Sequence, residues 1–237
     1  MIQGAKITAI VPAAGLGARM NLDLAKPLVE IRSKPVIIYT LEALQAHPLI
    51  DEIVLVFNKE GLQQARDLVK EYKISKVARV IEGGATRKES VRNGLEVVDS
   101  KTKIVVIHDG VRPFVDEGSI RRVIEEAFAS GAAVLGVPVK STIKKVDTEY
   151  VVDETLKREH LWEIQTPQAF DRELIQKAYL RASKHSVPDD ATLVEIMGKK
   201  VHVVMGSYFN IKITTHEDLV FAEAIARINE ATAYRTK

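Results

Sequence analysis

Residues 9–20 read AIVPAAGLGARM. An apolar run breaks into Pro12-Ala13-Ala14-Gly15-Leu16-Gly17, and Arg19 follows two residues later. The preceding ITAIV, Ile7 to Val11, is a continuous aliphatic run of the kind found in strands buried on both faces. A strand that ends in small residues and a cation, rather than in an ordinary polar turn, sets bare backbone N–H groups beside positive charge. That combination suits a phosphate.

Outward from this stretch the same strand character recurs in IVLVF (53–57), VARVI (77–81), IVVIH (104–108) and AAVLGVPV (132–139). Helical spacing fills the intervals at 35–47, 60–72, 86–98 and 116–130, with Thr86 and Glu89 in the arrangement of a capping box. Aliphatic strands alternating with amphipathic helices predict an α/β fold: a Rossmann-like three-layer sandwich with a mainly parallel sheet. Later helices are expected at 171–183 and 190–197, a strand near 201–204, and a final helix from Thr215. The whole of 1–237 reads as one domain. Only Lys140 to Gln165 breaks the rhythm, being charged, rich in Thr and Val, and alternating. It predicts a protruding β-arm at about 140–165 that turns near Asp147-Thr148-Glu149. Such a hairpin is either a solvated excursion or an arm that packs on another subunit or closes over a site.

Composition narrows the function. In 237 residues, 34 Lys and Arg face 32 Asp and Glu, which leaves a net charge of +2 and no basic footprint for nucleic acid. Cysteine is absent, which excludes disulfides and thiolate metal sites and favours a cytoplasmic location. No apolar run approaches membrane-spanning length, and the N-terminus passes into a glycine loop too soon for a secretion signal.

In an open parallel sheet, ligands gather beyond the carboxyl ends of the strands. Gly15 and Gly17 begin a dinucleotide fingerprint, but Met20 holds the third glycine position and no acidic residue closes the second strand. No P-loop string occurs either. What remains is a glycine turn followed by Arg19 and Lys26, cations in a number that fits a nucleoside triphosphate expelling pyrophosphate. Asp109, directly after the fourth strand, is suited to Mg²⁺ or another divalent cation, which takes one or two carboxylates plus phosphate oxygens. Arg112 is a forked donor suited to an acceptor phosphate.

Six ordered strings, PAAGLGARM with a following Lys-Pro, EGGATRKESV, HDGVRPF, TPQAF, PDDATLVE and NIKITTHEDL, resemble the polyol-phosphate cytidylyltransferases. The resemblance is greatest to the 2-C-methyl-D-erythritol 4-phosphate cytidylyltransferase family of isoprenoid biosynthesis. It implies CTP and a polyol phosphate as substrates, Mg²⁺, and a homodimer joined through the arm, with no nucleic acid or membrane partner. Ala13, Ala14, Gly15 and Gly17 would surround the nucleotide, with Arg19, Lys26 and Lys212 on the triphosphate. Gly84 and Ala85 would face the cytosine edge, Ser90 would bond the base, and Arg87 would support the loop or the phosphates. Arg112, Thr142, Arg158 and Thr166 would serve the acceptor. The chain departs from the family pattern at Ala25, Pro27, Ala85 and Pro188, the last removing a hydroxyl otherwise expected at the polyol. Ribitol-phosphate and related cytidylyltransferases share most of the strings, so another polyol or sugar phosphate is the alternative acceptor. A non-catalytic nucleotide-binding protein would have no need for Arg19, Lys26, Asp109 and Lys212 together.

Overall fold

The computed structural model describes residues 2, 4–15, 26–181 and 185–235. Eleven strands are seen among these: β1 (Lys6–Pro12), β2 (Glu30–Ile31), β3 (Lys34–Pro35), β4 (Glu52–Phe57), β5 (Val77–Glu82), β6 (Thr102–Ile107), β7 (Ala132–Pro138), β8 (Lys144–Val146), β9 (Val152–Thr155), β10 (Trp162–Asp171) and β11 (His202–Met205). The helices are α1 (Val36–Ala46), α2 (Leu62–Glu71), α3 (Arg87–Glu96), α4 (Glu117–Ser130), α5 (Arg172–Arg181), α6 (Ala191–Ile196) and α7 (His216–Arg235).

Seven strands form one sheet in the order β11-β7-β10-β6-β1-β4-β5. All its pairings are parallel except the two made by β10, which is antiparallel to β6 and to β7. The expected α/β architecture with a mainly parallel sheet is therefore present. Period-two geometry splits each central strand between two cores. On β6, Ile104 and Val106 join Leu41 and Ala65 of α1 and α2 and Ile120 and Val123 of α4. Val105 and Ile107 instead join Val91 and Leu95 of α3, Ile175 of α5 and Leu193 of α6. Helices cover both faces, which is why the strands read as unbroken aliphatic runs. A third, smaller core packs Ala222 and Ile225 of α7 against Ile31 and Phe114.

The segment expected as an arm divides in two. β8 and β9 form a separate antiparallel hairpin whose residues are all exposed, while Trp162 to Gln165 already belong to β10 and enter the main sheet. The turn lies where expected, with Asp147 Oδ1 accepting from the N–H groups of Glu149 and Val151, both at 2.9 Å. The register of β10 on β7 breaks between Ile164 and Gln168. Pro167 lies in that gap and has no N–H to give the ladder. The carbonyl of Thr166 is taken instead by Asn210 Nδ2 at 2.8 Å.

The chain runs from β1 through β4 to the β5 edge, then crosses to β6 on the other side of β1. This reversal puts a crevice at the carboxyl ends of β1 and β6. Three loops meet there and are stitched by backbone: Ala13 N–H to Val56 O (2.7 Å), Gly83 N–H to Phe57 O (2.8 Å) and Gly110 N–H to Pro12 O (3.1 Å). Two glycines permit the approach. A Cβ on Gly83 would fall 2.6 Å from Ala14 Cβ, and one on Gly110 would fall 2.9 Å from Ala13 Cβ.

Candidate active site

Those loops enclose a cavity of about 490 Å³. Ten of the residues singled out from sequence line it: Ala13, Ala14, Gly15, Lys26, Gly84, Ala85, Arg87, Ser90, Asp109 and Lys212. Gly17 and Arg19 lie outside the described residues. Sequence reasoning gave no part to Val111, Ile213 or Thr214, which complete the wall beside Pro188. These gave no signal in the sequence; Ile213 N–H bonds Val111 O at 2.9 Å, and Asp218 Oδ2 accepts from Thr214 N–H at 2.7 Å. The bond to Val111 lays the NIKIT strip along the loop after β6 and so brings Lys212 to Asp109.

Asp109 is the centre of the charge. Its Oδ1 is 2.8 Å from Arg87 Nε, its Oδ2 is 2.8 Å from Lys212 Nζ, and Arg112 Nε stands 3.7 Å away. Burial alone would push this carboxyl up. The charges of Arg87, Lys212 and Arg112 outweigh burial and hold it well below the usual carboxylate range, so it is an anion at any working pH. Lys26 approaches from the other side, donating to Thr214 O at 2.7 Å, beside the start of α7. Four cations, Lys26, Arg87, Arg112 and Lys212, thus gather around Asp109, with Asp190 behind Arg87 and Asp218 bonded to Thr214.

The donors around the cavity include backbone as well as side chains. Gly84 and Ala85 precede α3, whose N-terminus is closed by the expected box: Thr86 Oγ1 accepts from Glu89 N–H (3.1 Å), and Glu89 Oε2 accepts from Thr86 N–H (3.0 Å). Ser90 is committed to this loop. Its hydroxyl donates to Thr86 O at 3.0 Å and accepts from Gly84 N–H at 3.1 Å, so it shapes the turn that faces the cavity. Among the described residues other than its chain neighbours, none comes within 4 Å of where a side chain on Gly15 would project.

The residues assigned to the acceptor are placed elsewhere. Thr166 is buried behind Asp109, not in the cavity wall. Its Oγ1 accepts from Asp109 N–H at 3.0 Å and lies 3.0 Å from His108 Nδ1. His108 Nε2 is 3.1 Å from the Arg112 carbonyl, which can only accept. The imidazole is therefore protonated at Nε2, and Thr166 donates to Nδ1. Arg112 Nη1 donates to Asn210 O at 2.8 Å, and Arg158 Nη1 donates to Lys140 O at 3.0 Å. Thr142 and Arg158 flank the exposed hairpin and line no part of the cavity.

Asp109 is a single carboxylate, and among the described residues no group of three His, Cys, Asp or Glu could hold a metal ion. One carboxylate beside a cavity that can hold a nucleotide still fits Mg²⁺, which takes phosphate oxygens and water as its other ligands. Asp109 Oδ2 is held by Lys212, a half-exposed side chain that can turn toward phosphate.

Burial pushes His108 down to about 4, so its imidazole is neutral in the fold, and burial also lowers His47. Between about pH 4 and pH 6.5 the unfolded chain then binds more protons than the folded one, and stability falls as pH drops through that window. For His108 alone the loss from pH 7.5 to pH 4.5 amounts to about 2–3 kcal/mol. Urea unfolding of the metal- and nucleotide-free protein should show it, and His108→Gln should flatten the profile. A wild-type profile level over this range contradicts the buried neutral imidazole.

With the geometry described, similarity to known proteins is specific. Residues 7–228 match the family model for IspD, 2-C-methyl-D-erythritol 4-phosphate cytidylyltransferase. The protein of that name from Syntrophus aciditrophicus is 47% identical over 228 residues, 95% of this chain and 97% of the relative. The one from Halalkalibacterium halodurans is 45% identical over 218 residues, covering 91% and 95%. Among solved structures, 4-diphosphocytidyl-2C-methyl-D-erythritol synthase of Anaerococcus prevotii superposes with a TM-score of 0.84 at 37% identity, over 95% of this chain and 98% of that one. The 2-C-methyl-D-erythritol 4-phosphate cytidylyltransferase of Thermus thermophilus gives 0.79 at 32% identity, over 94% and 99%. On this evidence the chain belongs to the 2-C-methyl-D-erythritol 4-phosphate cytidylyltransferase family.

Proposed function

We propose that the cavity at the ends of β1 and β6 is where this chain transfers CMP from CTP to 2-C-methyl-D-erythritol 4-phosphate, releasing pyrophosphate. The supporting observation is the cluster of cations around Asp109, set beside a glycine-lined wall open to a nucleotide. Gly84 and Ala85 take the cytosine edge, and Ser90 acts through the turn it braces. Ala13, Ala14, Gly15 and Gly17 cradle the phosphates, with Arg19, Lys26 and Lys212 as counter-charge. Mg²⁺ held by Asp109 and phosphate oxygens supplies further neutralisation when bound.

An acceptor phosphate monoester carries an anionic oxygen near neutral pH, so no side chain has to remove a proton. That oxygen forms a bond to the α-phosphorus as the bond from the α-phosphorus to the bridging oxygen breaks, and the electron pair leaves with pyrophosphate. The residues supply alignment and charge compensation that are in place before reaction. Arg112 receives the acceptor phosphate after leaving its present backbone partner, Thr142 and Arg158 complete the acceptor pocket of a second copy in the homodimer, and Thr166 acts through Asp109 rather than on the polyol.

Residues 1–237 work as one nucleotidyltransferase domain, in the cytoplasm and without nucleic acid or membrane. No helix among the described residues is long and apolar enough to cross a membrane. We also propose a homodimer through the hairpin. Val146, Tyr150, Val151 and Val152 are exposed on a two-stranded ribbon that has no core of its own. A wild type that sediments as a fully active monomer contradicts the dimer.

Pyrophosphate release over four nucleoside triphosphates crossed with several polyol phosphates tests the reaction. CTP with 2-C-methyl-D-erythritol 4-phosphate should give the highest kcat/KM; ribitol 5-phosphate preferred instead overturns the acceptor. Lys26→Ala and Lys212→Ala should each lower kcat by roughly 10²-fold or more, because a preorganised charge is lost. Asp109→Asn should raise the Mg²⁺ requirement, and near-normal turnover in all three variants removes the proposed roles.

A further inference from the structure

The PDD turn at Pro188 to Asp190 holds a carboxylate that the reaction leaves unused. Asp190 is 1% exposed and stands at the N-terminus of α6, yet its side chain makes no capping bond. Asp189 and Gln168 do that work. Asp189 Oδ1 accepts from the N–H and hydroxyl of Thr192 at 3.0 and 2.6 Å, and Gln168 Oε1 accepts from Ala191 N–H at 3.1 Å. Gln168 Nε2 in turn donates to Asp189 Oδ2 at 2.7 Å. The helix start is therefore satisfied without Asp190, which turns inward instead.

What Asp190 meets is Arg87. The guanidinium spans two carboxylates: Nε lies 2.8 Å from Asp109 Oδ1 and Nη2 lies 2.8 Å from Asp190 Oδ2. The other oxygen of Asp190 accepts the phenolic proton of Tyr179, itself 4% exposed. Burial and the neighbouring carboxylate push that phenol up, so it remains the donor. A chain thus runs Tyr179, Asp190, Arg87, Asp109 from the second core to the cavity wall. Burying a carboxylate is costly unless it is paired. A plain packing role at this position would be met better by an apolar residue.

Arg87 occupies the first turn of α3 and lines the cavity. An arginine there, freed on one edge, would reach a bound triphosphate. We propose that Asp190, steadied by Tyr179, is a positioning residue: it keeps the Arg87 guanidinium drawn back against Asp109 instead of on the nucleotide phosphates. Arg87 then spends its charge on orienting Asp109. Without Asp190, Arg87 adds to ground-state binding of CTP and leaves Asp109 less well oriented. Binding and turnover are therefore driven in opposite directions, which simple damage to the fold does not do.

The inference rests on the CTP reading above, and CTP binding to the wild type, measured by calorimetry without acceptor, checks that reading separately. Asp190→Asn keeps the shape and the bond from Tyr179. It should bind CTP about 3- to 10-fold more tightly while kcat falls about 10-fold or more. Tyr179→Phe keeps the charge and should move kcat down about 3-fold, with CTP affinity no weaker than in the wild type. In an Arg87→Ala background, Asp190→Asn should no longer lower kcat, since the partner it acts through is gone. Wild-type kcat in Asp190→Asn, or weaker CTP binding alongside lower kcat, overturns the proposal. Should Asp190→Asn not fold, Tyr179→Phe decides in its place, and unchanged kcat or weakened CTP binding there overturns it equally.

Discussion

One buried carboxylate organises the molecule. Asp109 emerges at the carboxyl end of the central strand β6, into a position where burial alone would favour its neutral form. It stays ionised because Arg87 and Lys212 are brought to it from distant parts of the chain and Arg112 from its own loop. Each delivery has its own structural cause. The capping box fixes the first turn of α3 and so Arg87, the bond from Ile213 to Val111 sets Lys212, and Arg112 follows in the same loop as Asp109. The sheet topology matters to function because it makes these deliveries converge.

Such a cluster is poorly arranged for its own stability. Arg87, Arg112 and Lys212 crowd on Asp109, and the cavity beside them is left open between small residues and cations rather than filled. On the proposed reading a polyanion relieves this crowding, and cations already in place need little reorganisation when charge develops on the departing group. Any ligand that binds the folded state alone also stabilises it. The uncharged supports of this centre are as closely specified as its charges. Thr166 joins the Asp109 backbone to His108, and His108 joins the Arg112 carbonyl, in a chain whose proton positions are fixed by what each group can donate.

Most of the architecture was legible in the residues, because strands buried on both faces and amphipathic helices leave strong periodic marks. The loop residues Ala13 to Gly15, Gly84, Ala85, Asp109 and Lys212 were legible too, since glycines and charges after strand ends have few other uses. What escaped was tertiary. β10 was hidden because its first residues continue the alternation of the hairpin, and nothing local says that they leave it for the main sheet. Thr166 was expected on the acceptor and instead sits behind Asp109. A hydroxyl in a motif looks the same whether it faces a ligand or a neighbouring backbone. Ser90 lines the cavity as expected, but its bonds to Gly84 and Thr86 were not legible, and the inward turn of Asp190 depends on Gln168 and Asp189 taking over the cap, which no spacing rule conveys.

The central claim is that the cations of this cavity serve the three phosphates of the nucleotide whose base the same cavity holds. Calorimetric titration of CMP, CDP and CTP at constant ionic strength tests it directly, with and without Mg²⁺. The account predicts that affinity rises steeply with each phosphate and that the CTP enhancement collapses in Lys26→Ala and Lys212→Ala. Equal affinity for CMP and CTP, or a CTP preference untouched by both substitutions, would contradict it.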